Sequence, residues 1–167
     1  GVSSAASDVY KRQVEAQHTD TLMKEIDLVQ NCISRMAQYS FIVKGWTISM
    51  VAALLALTPQ KTNIKLLCIV CFVLTGCFWY LDATFLKTEK LYRRKYKWII
   101  TNRGSTSEFS FDLDPNNKKM WIDEDQKNGD LPILSVMFTK SLVPIYGSLT
   151  LFTLGGMILA FCGIRIK

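Results

Sequence analysis

Apolar residues fill three blocks of this chain, and outside them the apolar positions recur at helical spacing among charges. The first block, Phe41 to Leu57, carries Lys44 near its start and no charge after it. The second, Ile64 to Leu81, carries only Lys65. Each is about 17–18 residues, the short end of what a helix needs to cross a ~30 Å hydrocarbon core. The third, 142–164, has no charge at all. The connector Thr58–Asn63 contains Pro59 and has a length suited to an antiparallel hairpin. The pattern predicts transmembrane helices at 41–57, 64–81 and 142–164.

The flanking stretches read as helix too. Leu22, Ile26, Val29, Ile33 and Met36 follow a 4-3-4-3 spacing, with Lys24, Glu25, Asp27, Gln30, Asn31 and Arg35 on the other faces. This predicts a cytoplasmic helix over 14–40 that runs into the first span, with Tyr39 and Trp46 at the interface. No Gly or Pro occurs between Cys77 and Arg103, so the second span is expected to continue as one helix to about 101, roughly 55 Å long. Phe85, Tyr92, Tyr96 and Ile99 form an apolar stripe that suits the 22–36 seam, giving a cytoplasmic helical stalk. Gly104 offers a left-handed residue to end the helix. The insert 102–132 alternates Phe109, Phe111 and Leu113 with polar residues before Asp114-Pro-Asn-Asn117, which suits a short hairpin or an irregular loop. Residues 133–142 suggest an amphipathic approach along the membrane surface. Pro144 is tolerable in a first helical turn.

The expected fold is therefore an all-α integral membrane protein with three transmembrane helices, a cytoplasmic stalk and a small insert. Residues 14–167 read as a single membrane domain. Residues 1–13 read as a non-native segment, because 3–13 look like translated sequencing-adapter DNA. Three spans bury little against each other, so a homo-oligomer is expected.

Charge sets the direction. Of 20 Lys and Arg residues, sixteen fall on one side of this topology and four (Lys61, Lys65, Arg165, Lys167) on the other. That bias puts the N-terminus in the cytoplasm of a bacterial inner-membrane protein. Anionic headgroups account for the net charge of +6, and no nucleic acid is expected. The partners implied are the lipid bilayer, further copies of the chain, and a cytoplasmic protein.

The inventory of chemistry is thin. Four of the five cysteines lie inside apolar blocks, and Cys68-Ile-Val-Cys71 lacks the polar surroundings of a metal or redox pair. His18 is the only histidine, and there is no Gly-rich phosphate loop. No catalytic residue, metal site or cofactor is expected. The sharpest feature is Asp82 at the inner edge of the second span. An acid at that depth is costly unless paired, and Lys44 has similar depth on the first span. A structural ion pair is the favoured reading, with a proton or ion site as the alternative.

The blocks Ser40-Phe-Ile-Val-Lys44-Gly-Trp46-Thr-Ile-Ser, Phe78-Trp-Tyr-Leu-Asp82-Ala, Leu91-Tyr-Arg-Arg-Lys-Tyr96 and Pro144-Ile-Tyr-Gly147 resemble a scattered family of small, uncharacterised bacterial inner-membrane proteins. The resemblance implies a location and a shape. The layout is also similar to SLATT-type membrane effectors of bacterial defence, and to an octameric membrane accessory of some RNA-targeting CRISPR systems. These likenesses imply a pore-forming or membrane-perturbing defence effector. The alternative is a membrane-anchored scaffold that binds a partner through its stalk or its 102–132 insert.

Overall fold

The protein's structure is a computed structural model that describes residues 2–56 and 63–161. Every element among these residues is helical: α1 (Val2–Ala56), α2 (Ile64–Asn102), α3 (Asp123–Asn128), α4 (Ile133–Met137) and α5 (Ser148–Phe161), with a 3-10 turn at Lys118–Met120 and a π turn at Val143–Gly147. α1 and α2 are long because each contains one glycine and no proline to interrupt the i to i−4 ladder. Both are long and apolar enough to cross a membrane. The connector 58–62, with Leu57, lies outside the described residues, as do residues 162–164 of the expected third span.

Buried positions on α1 trace one stripe: Glu25, Val29, Cys32, Ser40, Val43, Thr47 and Val51, with Met36 half-buried in the same register. The spacing repeats every eleven residues, so 25, 36 and 47 are equivalent, as are 29, 40 and 51. Eleven residues over three turns is close to the natural helical period, and the stripe drifts little around the helix.

Where a single domain was expected over 14–167, the chain divides into two compact units. The first comprises the chain up to Arg35 with Glu89–Gly129. Its core is Val29, Trp98, Ile99 and Met120, with Leu22, Ile26, Ile33, Tyr92, Tyr96 and Phe109 packed on it. Seven residues of the expected seam therefore meet here. The C-terminal half of α2 is buried on two sides, because Leu91, Lys95 and Trp98 form a second face covered by the insert.

The insert has no strand among its described residues. The expected extended alternation fails at Phe109 and Phe111, whose φ values are 57° and 55°. Hydrogen bonds from Arg103 and to Glu25 bend the chain there. Nor does Gly104 end α2 in a left-handed conformation, since Gly129 is the only positive-φ glycine among the described residues. Asn117 caps the 3-10 turn by accepting from the Lys119 N–H.

The second unit comprises Met36–Thr88 with the chain from Asp130 onward. Its core is Ala83, Val136, Leu142 and Tyr146, joined by Phe78, Trp79, Leu86, Leu131, Ile133 and Met137. Met36 and Phe85, the remaining seam residues, belong to this unit, and Phe85 lies 5.6 Å from Tyr39 ring to ring. α4 is pinned by the Trp79 Nε1–H, which donates to the Met137 carbonyl at 3.0 Å. α5 runs along α2: a Cβ on Gly156 would meet Cys68 Sγ at 3.6 Å, and the Lys65 ammonium sits 4.9 Å above the Phe161 ring.

Candidate functional site

The second unit contains one carboxylate without solvent exposure, and three segments converge on it. Asp82 arrives on α2, seven residues after Thr75 and on the same buried face. From α1 come Ser40 and Lys44, one turn apart and so on one side of the helix. The π turn supplies Tyr146. Pro144 lacks an N–H, and the widened turn around it seats the Tyr146 side chain inward, fully buried.

The Lys44 ammonium lies 2.9 Å from Asp82 Oδ2. Tyr146 donates its hydroxyl to the same oxygen at 3.0 Å, and Ser40 donates to Oδ1. Lys44 also donates to Ser40 Oγ at 2.6 Å, so lysine, serine and aspartate form a closed triangle. Above it the Tyr146 ring stacks on Trp79 at 5.9 Å, with the planes 6° apart. The carboxylate thus has three donors, of which Lys44, at 16% exposure, is the most open to solvent and Tyr146 is fully buried. A buried charge is tolerated when it is paired and its remaining lone pairs are satisfied. Both conditions hold at Asp82.

The structure brings together the two residues singled out in the sequence, Lys44 and Asp82, and adds two that sequence reasoning missed. Ser40 was detectable, since it lies one turn before Lys44. Tyr146 lies in the Pro144–Gly147 block, but its inward register depends on a π turn that periodicity does not show.

The first unit holds a second set of buried charges. Arg103 grips Glu25 with Nε and Nη2, at 2.7 and 2.5 Å. This corrects the assignment of Glu25 to a polar outer face: it is 2% exposed and belongs to the buried stripe, four residues before Val29. Lys95, 1% exposed, donates to the Asp114 carbonyl at 2.9 Å and pairs with Asp112 at 3.3 Å. Burial pushes the Lys95 ammonium below the usual lysine range, against the opposing pull of Asp112. Burial pushes Asp112 up, but hydrogen bonds from Asn117 and the Asp114 N–H, with the Lys95 charge, outweigh it and hold the carboxyl below its ordinary value. Arg94 pairs with Asp125 at 3.1 Å, donates to the Gly129 carbonyl and covers the Trp121 ring. These groups fasten the insert to α2.

His18 is exposed and lines a shallow cleft near Glu25 and Arg103. Cys68 and Cys71 are free thiols, and no group of three metal-ligating side chains occurs among the described residues. No family model, curated protein or solved structure matches the chain, so the functional reading rests on the geometry.

Proposed function

We propose that this chain is a non-enzymatic, self-associating protein of the bacterial inner membrane, with its N-terminus in the cytoplasm, that acts by perturbing or perforating the bilayer. The observation that carries the membrane reading is an inversion of burial. In the most apolar 18-residue windows of α1 and α2 only 22% and 11% of residues are buried. Phe41, Trp46, Ile48, Ile64, Leu66 and Val73 all point outward. The core helix of a water-soluble protein hides such residues, whereas a lipid-facing helix displays them.

A third span is supported by the π turn and α5 taken together, which touch α2 from Trp79 and Asp82, through Tyr146 of the turn, to Lys65, through Phe161 of α5. The charge asymmetry supports the direction. Self-association is supported by how much apolar surface three helices leave uncovered. The likeness to SLATT-type effectors supports a membrane-directed action.

Sodium carbonate washing tests insertion: the protein is expected to stay in the membrane pellet, and release would refute it. A reporter active only in the cytoplasm, fused after Lys167, is expected to be silent, and activity would remove the three-span topology. Native mass measurement in detergent tests self-association. Expression with a potential-sensitive dye tests the membrane effect, with depolarisation expected. A membrane-anchored scaffold is the second reading, favoured by the exposed Phe111 and Leu113 on the insert. Intact potential at full expression would support it over the effector.

A further inference from the structure

The stretch 104–111 is fastened to the first unit by hydrogen bonds from Arg103 and to Glu25, while Tyr92 and Lys95 hold Asp112, Leu113 and Asp114 beyond it. Its backbone is held where two of its residues resist lying. Phe109 and Phe111 both occupy the left-handed region, where a Cβ crowds the following carbonyl. Bulky residues rarely adopt it. Neither phenylalanine has a short polar side chain that would compensate locally.

What holds them is Arg103. Its Nε–H donates to Glu25 Oε2 at 2.7 Å, and Nη2 donates to Glu25 Oε1 and to the Phe109 carbonyl, at 2.5 and 3.3 Å. Nη1 donates to the carbonyls of Thr106 and Glu108, at 3.3 and 2.7 Å. All five guanidinium N–H groups are thereby used. Glu25 Oε1 then accepts the Phe111 N–H at 3.2 Å. The strained stretch is bonded on both flanks by one ion pair, whose other member sits on α1. A cleft of about 290 Å³, lined by Gln17, His18, Thr21, Ser107 and Ser110, opens beside the pair, so water reaches its edge.

We infer that residues 104–111 form a spring-loaded cover, latched by Glu25 and Arg103. With the pair intact, five donors and a bidentate carboxylate outweigh the two unfavourable φ angles. With it broken, Phe109 and Phe111 relax to ordinary angles and the stretch 104–111 lifts from Trp98, while Lys95 and Tyr92 still hold 112–114. Opening is local, because the core residues Val29, Ile99 and Met120 lie outside the segment. The device needs only the first unit, and it stands whether or not the chain acts on membranes.

Hydrogen exchange on the full-length protein in detergent micelles reads the opening of 104–111 directly. Glu25→Gln keeps the shape and removes the charge, and is expected to speed exchange across 104–111 by at least about tenfold while 64–81 is unchanged. Phe111→Gly removes the strain with the latch intact and is expected to slow exchange by about tenfold. Phe111→Ala keeps the Cβ and is expected to give no slowing. Unchanged exchange in Glu25→Gln overturns the latch. Equal rates in the glycine and alanine variants overturn the spring. Should Glu25→Gln fail to fold, Glu25→Asp, whose shorter side chain cannot span Arg103 and the Phe111 N–H together, tests the latch by the same readout.

Discussion

Removing Lys44 is expected to damage the protein more than removing any other member of the Asp82 cluster. In Lys44→Ala the carboxylate keeps Ser40 and Tyr146 but loses its only cation. It has no exposure with which to recruit water. Breaking a buried pair in this way costs about 3–5 kcal/mol. In Asp82→Asn the stranded group is the ammonium, which already has 16% exposure on a flexible stem and can extend toward water. Asparagine also still accepts from Ser40 or Tyr146, so the expected cost is about 1–3 kcal/mol. Tyr146→Phe removes one hydrogen bond to a charged acceptor, about 1.5–3 kcal/mol. The predicted order of loss is Lys44→Ala first, with the other two close together. The assay is the thermal midpoint of monodisperse protein in detergent, with membrane accumulation as a second readout. In the double variant Lys44→Ala with Asp82→Asn the unpaired charge is gone, and stability is expected to exceed that of Lys44→Ala alone. A double variant less stable than either single one would falsify the pairing argument. Normal stability of Asp82→Asn together with a lost membrane effect would replace it with an ion or proton role.

The first unit yields four further expectations. Glu25→Ala, which the sequence pattern alone marks as harmless, leaves Arg103 buried and is expected to cost about 3–5 kcal/mol in thermal or chemical unfolding. Val29→Asp places a charge in the fully buried core beside Ile99 and is expected to abolish accumulation, whereas Lys24→Ala on the exposed face leaves it unchanged. Because the Lys95 ammonium titrates below the unfolded value, the unfolded chain binds more protons in the window between the two. Stability is therefore expected to rise with pH from the lowered folded value toward about 10.4, and Lys95→Met should flatten that slope in alkaline melting curves. Asp112 works at the other end: its lowered carboxyl contributes stability above about 3.9 that is lost as pH falls through its folded value, so Asp112→Asn should blunt the acid limb.

How much could be read from the residues follows from what each signal depends on. The two long helices depend on continuous apolar and helical patterns without proline, and both are visible in the sequence. So are Leu22, Ile26, Val29 and Ile33 against Tyr92, Tyr96 and Ile99, because a four-three spacing names the buried face. Glu25 was misplaced because its face was judged by residue type; counting back four from Val29 puts it on the buried side. The insert escaped for another reason. Its conformation is set by Arg103 reaching three carbonyls, a contact that local alternation at Phe109 and Phe111 does not encode. Tyr146 likewise depends on a turn that breaks the 3.6-residue period. Local patterns carried the helices, while long-range polar contacts decided the irregular parts.

The eleven-residue recurrence along α1 has a consequence for how this chain can change in length. Each residue added or removed turns everything beyond it by about 100° around the axis, so the cost of an indel between Glu25 and Val51 depends on its remainder against whole turns. Losing seven or eleven residues returns the stripe to within about 20° of its place, and the buried side chains stay on one line. Losing two or five leaves Ser40, Thr47 and Val51 on the wrong side of the helix. Each lost residue also shortens the helix by about 1.5 Å, so with Glu25 tied to Arg103 and Lys44 to Asp82 natural variants should differ in α1 by whole-turn blocks matched by equal changes in α2.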